Sequence, residues 1–214
     1  MKKSETKKNE MTELVFVLDR SGSMSGMESD VIGGYNSMLE QQRKEKGAAR
    51  LTTVLFDDRY ELLHDRLDLE SASPMTEKEY YARGCTALLD AVGMTISKID
   101  RVQKGTVKSR RADRVLFIIT TDGMENASRE YSINRIREMI RRHRDELGWE
   151  FIFLGANIDA VEEAGNLGIK ADRAANYRQD KSGIDSLYGN ISDVAAGYRA
   201  CGKVNEDWKD GLDD

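Results

Sequence analysis

The sequence predicts an α/β fold: a doubly wound, Rossmann-like and mostly parallel sheet with helices on both faces and one antiparallel edge strand. The first observation is a set of short, continuously apolar runs at 14–18, 115–119 and 151–154. Strands that are apolar on both faces are typical of a parallel sheet covered by helices on either side. The second observation is that longer segments with apolar residues every three or four positions alternate with these runs. This alternation predicts a doubly wound sheet.

The elements are expected in the order β-α-β-β-α-β-α-β-α-β-α. Helices are predicted near 28–46, 86–104, 132–147, 157–166 and 183–200. In the second of them, Leu89, Val92, Ile96 and Ile99 recur at spacings of three and four and form one apolar stripe. Strands at 51–56 and 60–67 flank Asp57-Asp58-Arg59, which predicts a hairpin and the antiparallel edge strand. A last short strand is predicted near 171–177.

Length and composition indicate a single folded domain. The chain has 214 residues, of which 39% are hydrophobic and 33% charged. We expect one α/β domain over residues 12–204, a disordered segment at 1–11 and an acidic tail at 205–214. The 33 Lys and Arg against 38 Asp and Glu give a formal net charge of −5. This argues against a nucleic-acid partner, because such binding depends largely on a basic surface.

The sequence predicts a cytoplasmic location. Residues 1–10 are rich in Lys and Glu and lack the apolar stretch of a secretory signal. The apolar runs are strand-sized, well below the roughly 20 residues that span a bilayer, so no membrane partner is expected. Two cysteines, Cys85 and Cys201, are too few for the disulfide framework of a small secreted domain.

Oxygen-bearing side chains follow two predicted strands and open one predicted helix. Asp19, Ser21 and Ser23 come directly after the first strand. Thr86 opens the second helix, and Asp122 follows the strand before the third helix. Ligands of an open α/β sheet bind at the carboxyl edge of its strands. These five side chains are therefore predicted to converge in space.

Five oxygen donors without His or Cys suit a hard cation such as Mg²⁺. Taken singly, the serines are explained as helix caps and Asp122-Gly123 as a turn, but their joint occurrence favours a metal site. Two directly bound carboxylates would neutralise a divalent ion. If the three hydroxyls bind directly and an aspartate acts through water, the ion keeps positive charge and attracts an incoming carboxylate.

The same residues carry a family resemblance. Asp19-x-Ser21-x-Ser23, followed by Thr86 and Asp122-Gly123, resembles the metal-ion-dependent adhesion site of von Willebrand factor A (vWA) domains. The resemblance covers about residues 12–200, and the runs 19–24 and 84–92 are most similar to intracellular bacterial or phage members. It implies a vWA fold in which the five residues hold Mg²⁺ or Mn²⁺ and an acidic residue of a partner completes the coordination sphere.

The resemblance implies a non-enzymatic, metal-dependent protein–protein interaction module. Family members include adhesion modules and subunits that work with ATPases of the AAA class, and the sequence does not choose among such partners. Met24 and Met27 follow the metal loop directly. Their flexible side chains are predicted to contact the partner.

Two other functions stay open at this point. A Mg²⁺-dependent phosphoryl-transfer hydrolase is compatible with a metal at the end of a parallel sheet. Two observations argue against a hydrolase: residues 22–26 have Met24 where a nucleophile elbow needs Ser, and the sequence contains no glycine-rich phosphate-binding loop. Neither His64 nor His143 is placed as a general base. The third function is a structural subunit whose metal only orders loops.

Overall fold

The computed structural model describes residues 11–212, which contain six strands and five α-helices. The strands are β1 (Thr12–Asp19), β2 (Ala49–Phe56), β3 (Tyr60–Asp68), β4 (Arg114–Thr121), β5 (Glu150–Gly155) and β6 (Ala174–Asn176). The helices are α1 (Glu28–Lys44), α2 (Leu88–Gly105), α3 (Ile133–Leu147), α4 (Ala160–Leu167) and α5 (Lys181–Cys201). Each of these helices is too short or too polar to cross a lipid bilayer.

All six strands join in one sheet with the order β3-β2-β1-β4-β5-β6. β1 lies between β2 and β4 and runs parallel to both, and β4, β5 and β6 are also parallel. Among the described strands only β3 is antiparallel, paired with β2 across a hairpin. The predicted fold class is confirmed. The strand order reverses between β1 and β4, and ligands of such sheets bind at the carboxyl ends of these strands.

The sheet separates two apolar layers. Alternate residues of a strand point to opposite faces. In β1, Leu14, Phe16 and Leu18 belong to the layer under α1 and α5, and Val15 and Val17 to the layer under α2, α3 and α4. All five are at most 1% exposed, which explains why the strand is apolar at every position.

The last described residues pack on the domain. Trp208 is 6% exposed and Leu212 is 3% exposed, and both belong to the apolar layer under α1 and α5. The Trp208 indole donates a hydrogen bond to the Asp172 carbonyl oxygen at 2.8 Å. The expectation of a separate acidic tail is corrected for residues 205–212, because apolar side chains among the acidic ones anchor the segment. The predicted disordered segment lies, apart from Met11, outside the described residues, as do 213–214.

Polar contacts hold α5 on α1. The buried Arg199 guanidinium donates hydrogen bonds to the carbonyl oxygens of Gln42, Glu45 and Gly47, where α1 ends. The Gln42 amide in turn donates to the Ser192 carbonyl oxygen at 2.8 Å. A cation at a helix C-terminus also complements the helix dipole. These contacts anchor the C-terminal half of α5.

Candidate metal site

Three loops meet at the switch point of the sheet: those that follow β1 and β4, and the one that leads into α2. The Gly22 amide donates to the Gly84 carbonyl oxygen at 3.2 Å, which joins the first loop to the third. The Asn126 amide donates to the Thr86 carbonyl oxygen at 3.0 Å, which joins the second loop to the third. The structure thus brings together the three segments that contain the predicted metal ligands.

Asp19 is buried at the end of β1, and both of its carboxylate oxygens accept hydrogen bonds. The Ser21 amide donates to Oδ1 at 2.7 Å, and the Thr121 hydroxyl donates to Oδ2 at 2.6 Å. The residue is 2% exposed. The Asp19 carboxylate is therefore oriented both from its own loop after β1 and from the end of the neighbouring strand β4.

Ser21, Ser23 and Asp122 form a chain of hydrogen bonds across the site. The two serine hydroxyl oxygens lie 3.1 Å apart, and the Ser23 hydroxyl donates to Asp122 Oδ1 at 2.6 Å. Ser21 and Asp122 are buried, whereas Ser23 is exposed. Adjacent oxygens of an octahedral Mg²⁺ site with bonds of about 2.1 Å are about 3.0 Å apart. The spacing of the two serine oxygens fits adjacent ligands of such an ion.

Thr86 faces the same place because glycines allow close backbone approach. Gly84 has a φ of +67°, and a Cβ there would lie 2.4 Å from Asp58 Oδ1. Both the backbone conformation and the clash with Asp58 therefore disfavour a side chain at this position. A Cβ built on Gly123 would lie 3.6 Å from Ser23 Oγ and 3.8 Å from Thr86 Oγ1. Both hydroxyls therefore lie around Gly123, next to Asp122.

A buried ion-pair cluster supports the loops of the site. Arg20 has no exposed side-chain surface and donates to Asp57 Oδ2 at 2.9 Å and to Glu61 Oε2 at 2.5 Å. Arg83 donates to the same Asp57 oxygen at 2.7 Å. Burial opposes ionisation of Asp57, but hydrogen bonds from Arg83 and Arg20 outweigh it and hold the pKa of this carboxyl below its usual range. The cluster links the β1 loop, the β2–β3 turn and the segment before Thr86.

The two carboxylates of the site have raised pKa values. Burial raises the pKa of Asp19 to about 6, and the charge of Asp122 adds to the shift while hydrogen bonds from Thr121 and Ser21 oppose it. Burial also raises the pKa of Asp122, against hydrogen bonds from Ser23 and Gln179. These hydrogen-bond donors are neutral, so they leave the negative charge of the pair uncompensated. A divalent cation would supply that compensation.

The donor set fits a hard metal ion. Within residues 11–212, no three His, Cys, Asp or Glu side chains cluster at metal-binding distances. A metal here would therefore depend on hydroxyl oxygens together with two carboxylates. Oxygen-only ligation of this kind suits Mg²⁺ or Mn²⁺ better than a metal that prefers thiolate or imidazole.

A fourth loop, between β6 and α5, also reaches the site. The Gln179 side-chain amide donates to Asp122 Oδ2 at 2.6 Å and to the Ser23 carbonyl oxygen at 2.8 Å. The Gln179 side-chain oxygen accepts a hydrogen bond from the side-chain amide of Asn157, which lies in the loop after β5. Gln179 was not among the predicted site residues, because it lies in no motif and far from the others along the chain.

Two further findings change the predicted set of site residues. Thr121, which orients Asp19, was not among the candidates, although a polar threonine pair ending an apolar strand is a signal that could have found it. Met24, which was predicted to contact a partner, lies under the loop in the core and is 3% exposed. Met27 is half-buried against the same layer. The exposed methionine beside the site is Met124, at 65%.

Comparison with known proteins rests on structure alone, since no protein-family model and no curated protein sequence matches the chain. The vWF domain of the type V pili tip protein Mfa5 from Porphyromonas gingivalis has a TM-score of 0.64 and 12% identity, over 91% of this chain and 98% of that one. Manganese-loaded TRAP protein of Plasmodium vivax has a TM-score of 0.59 and 18% identity, over 84% of this chain and 72% of that one.

Proximal thread matrix protein 1 from the mussel byssus has zinc in its MIDAS motif, the metal-ion-dependent adhesion site. It has a TM-score of 0.59 and 15% identity, over 87% of this chain. The chain spans 46% of that protein's length and 43% of a von Willebrand factor type A structure from Catenulispora acidiphila. These likenesses show that the chain has the Rossmann-like fold of vWA domains.

Proposed function

We propose that the chain is a metal-dependent protein–protein interaction module of the bacterial or phage intracellular type. In this proposal a bound Mg²⁺ or Mn²⁺ recruits an Asp or Glu carboxylate of a partner protein. The five oxygen donors that hold the ion are Asp19, Ser21, Ser23, Thr86 and Asp122. Structural neighbours that are loaded with manganese or carry zinc at a MIDAS motif support a divalent ion.

The observation that carries the proposal is that both oxygens of each site carboxylate already accept a hydrogen bond. Asp19 receives its two from the Ser21 amide and the Thr121 hydroxyl. Asp122 receives its two from the Ser23 hydroxyl and the Gln179 amide. With both carboxylates held by neutral donors, we propose the neutral hydroxyl oxygens of Ser21, Ser23 and Thr86 as the direct ligands, with the two aspartates acting through water. An ion with neutral direct ligands keeps its positive charge and binds a further carboxylate.

We propose no enzymatic turnover for this site. Both histidines are engaged elsewhere, which supports the proposal. His64 contacts Tyr35 and the Ser73 carbonyl oxygen inside the domain, and His143 contacts the Met139 carbonyl oxygen on α3. A general base must lie within hydrogen-bond reach of the proton it removes, and neither imidazole is part of the site's hydrogen-bond network.

The partner and location belong to the same proposal. Carboxylate recruitment calls for a protein with an accessible acidic residue, and the vWA resemblance makes an AAA-class ATPase system one candidate. We propose neither a nucleic-acid nor a membrane partner. The cysteines Cys85 and Cys201 are free and exposed, which fits the reducing cytoplasm.

Thermal unfolding tests the metal site. Mg²⁺ or Mn²⁺ at 100 times its Kd is expected to stabilise wild type by about 2.7 kcal/mol over EDTA. Asp19→Ala should lose this gain. Asp65→Ala, which removes an exposed carboxylate paired with Lys98, should keep it. No gain with either ion, or an equal gain in Asp19→Ala, contradicts the proposal.

Partner recruitment is tested by measuring the capture of a partner protein on the immobilised chain. Capture is expected in Mg²⁺ and not in EDTA, and Thr86→Ala should abolish it while leaving the far-ultraviolet circular dichroism unchanged. Capture that persists in EDTA would refute recruitment through the metal. Metal-dependent phosphatase turnover that Asp19→Ala removes would instead favour the hydrolase.

A further inference from the structure

We propose that Gln179 is a positioning residue that keeps the Asp122 carboxylate from binding the metal directly. It thereby preserves the positive charge with which the ion recruits a carboxylate. The inference rests on the proposed function and extends it to a residue outside the five oxygen donors. Its basis is the position of the Gln179 amide, which holds one oxygen of Asp122 while Ser23 holds the other.

Asp122 Oδ1 is held by Ser23. The Ser23 hydroxyl donates its proton to this oxygen, and the two oxygens are 2.6 Å apart. Adjacent ligands of an octahedral Mg²⁺ are about 3.0 Å apart. With Ser23 as a direct ligand and its proton directed at Oδ1, Oδ1 accepts this hydrogen bond in place of a bond to the ion. Asp122 could then bind the ion directly only through Oδ2.

Asp122 Oδ2 is held by Gln179. This oxygen accepts a hydrogen bond from the Gln179 amide nitrogen at 2.6 Å, and the same nitrogen donates to the Ser23 carbonyl oxygen at 2.8 Å. One amide group therefore uses both of its N–H bonds on the two loops that carry the site. Turning Oδ2 towards the ion would break the first of these hydrogen bonds.

Gln179 is itself held in place by its neighbours. Its side-chain oxygen accepts from the Asn157 amide. On one side of it, the Tyr177 amide donates to the Gly155 carbonyl oxygen at 2.9 Å. On the other, Asp180 caps α5 by accepting from the Gly183 amide at 2.7 Å. The backbone around Gln179 is thus fixed at both ends, so its side chain is preorganised towards Asp122.

The two hydrogen bonds of the Gln179 side-chain amide distinguish it from a residue that only orients a metal ligand. Partners that only orient a metal ligand weaken binding by about 10- to 100-fold when they are removed. Removal of Gln179 has the opposite expected effect, because it frees Oδ2 to bind the ion as an additional charged ligand. The direction of the change in metal affinity therefore separates the two roles.

The test titrates Mn²⁺ alone into the full chain and measures free ion by electron paramagnetic resonance. The variants are Gln179→Leu, Asn157→Ala, which removes the amide that orients Gln179, and the matched control Gln41→Leu at an exposed glutamine of α1. Mn²⁺ affinity is expected to rise in Gln179→Leu, against the weakening of about 10- to 100-fold that loss of a merely orienting partner gives. It is expected to rise less in Asn157→Ala and to stay unchanged in Gln41→Leu. Water-proton relaxation is expected to show one fewer water on the ion in Gln179→Leu.

Acetate serves as the simplest carboxylate probe. Since the ion loses positive charge when Asp122 binds it, acetate is expected to bind the Mn²⁺ complex of Gln179→Leu more weakly than that of wild type. Unchanged or weaker Mn²⁺ affinity in Gln179→Leu, an unchanged number of bound waters, or equal acetate affinity would overturn this inference alone. Absence of Mn²⁺ binding by wild type would overturn the proposed function as well.

Discussion

Replacement of Asp57 by Asn removes the central anion of the buried ion-pair cluster beside the site. The Arg20 and Asp57 side chains are both fully buried, and their ion pair is 2.9 Å long. Arg83 pairs with the same carboxylate oxygen at 2.7 Å and is 30% exposed. The Asn side chain keeps the shape of Asp but not its charge. The substitution therefore leaves the buried Arg20 guanidinium without its closest fully buried partner.

The expected cost follows from the burial of Arg20. Breaking a buried pair costs about 3–5 kcal/mol, because the remaining charge stays away from water. Arg20 keeps the half-exposed Glu61 and the Glu79 carbonyl oxygen, so we expect the lower end, about 3 kcal/mol. For a domain of this size each kcal/mol shifts the melting temperature by about 2–4 °C. Asp57→Asn should then melt about 6–12 °C lower than wild type.

The assay is urea unfolding followed by circular dichroism, with Asp65→Asn as the matched control. Asp65 pairs with Lys98 at 2.8 Å but is 53% exposed, so its loss should cost well under about 1 kcal/mol. If Asp57→Asn costs no more than Asp65→Asn, the cluster does not stabilise the loops, and the reasoning from burial is refuted.

Three further predictions test other contacts of the structure. Arg199→Met should cost about 2–3 kcal/mol in urea unfolding, because it leaves the carbonyl oxygens at the end of α1 without their donor; a cost below about 0.5 kcal/mol would refute that role. Gly84→Ala should destabilise the domain by about 1–3 kcal/mol, because Gly84 has a positive φ and Asp58 lies close to it. Gly33→Ala should instead stabilise the domain by about 0.5–1 kcal/mol, because Gly33 faces open space within α1. Equal effects of the two substitutions would contradict this geometry. Burial lowers the pKa of His64, so the unfolded chain takes up this proton at higher pH than the folded chain, and stability is lost as the pH falls below about 6.5. Between about pH 7.5 and 5.5, wild type should therefore lose more unfolding free energy than His64→Gln, and parallel losses would exclude this linkage.

The order of elements was predictable because each local pattern records how its segment is buried. β1 is apolar at every position since both of its faces are covered, and α2 shows an apolar stripe since only one face is. The hairpin was predictable from its turn residues, and Asp57 Oδ1 accepts from the Arg59 amide at 2.8 Å as such a turn requires. The approach of the site segments followed from the fold class, because parallel strands end at one edge of the sheet.

Other features depend on contacts that no local pattern encodes. The second role of Asp57, as partner of Arg20 and Arg83, joins residues from three different loops. The sequence predicts an exposed loop position for Met24, but the turn at Gly22–Met24 directs its side chain under the loop, where it is buried. Similarly, Trp208 anchors the charged segment near the end of the chain through its hydrogen bond to Asp172.

Local patterns were therefore enough to predict the sheet, its covering helices and the sheet edge at which the five oxygen donors lie. All of these follow from periodicity and from strand ends, which are properties of neighbouring residues. The same patterns could not predict the hydrogen bonds that Thr121 and Gln179 donate to the carboxylates of Asp19 and Asp122. A hydrogen bond depends on distances of a few tenths of an ångström between loops that are remote in sequence, and those distances exist only once the two apolar layers have packed.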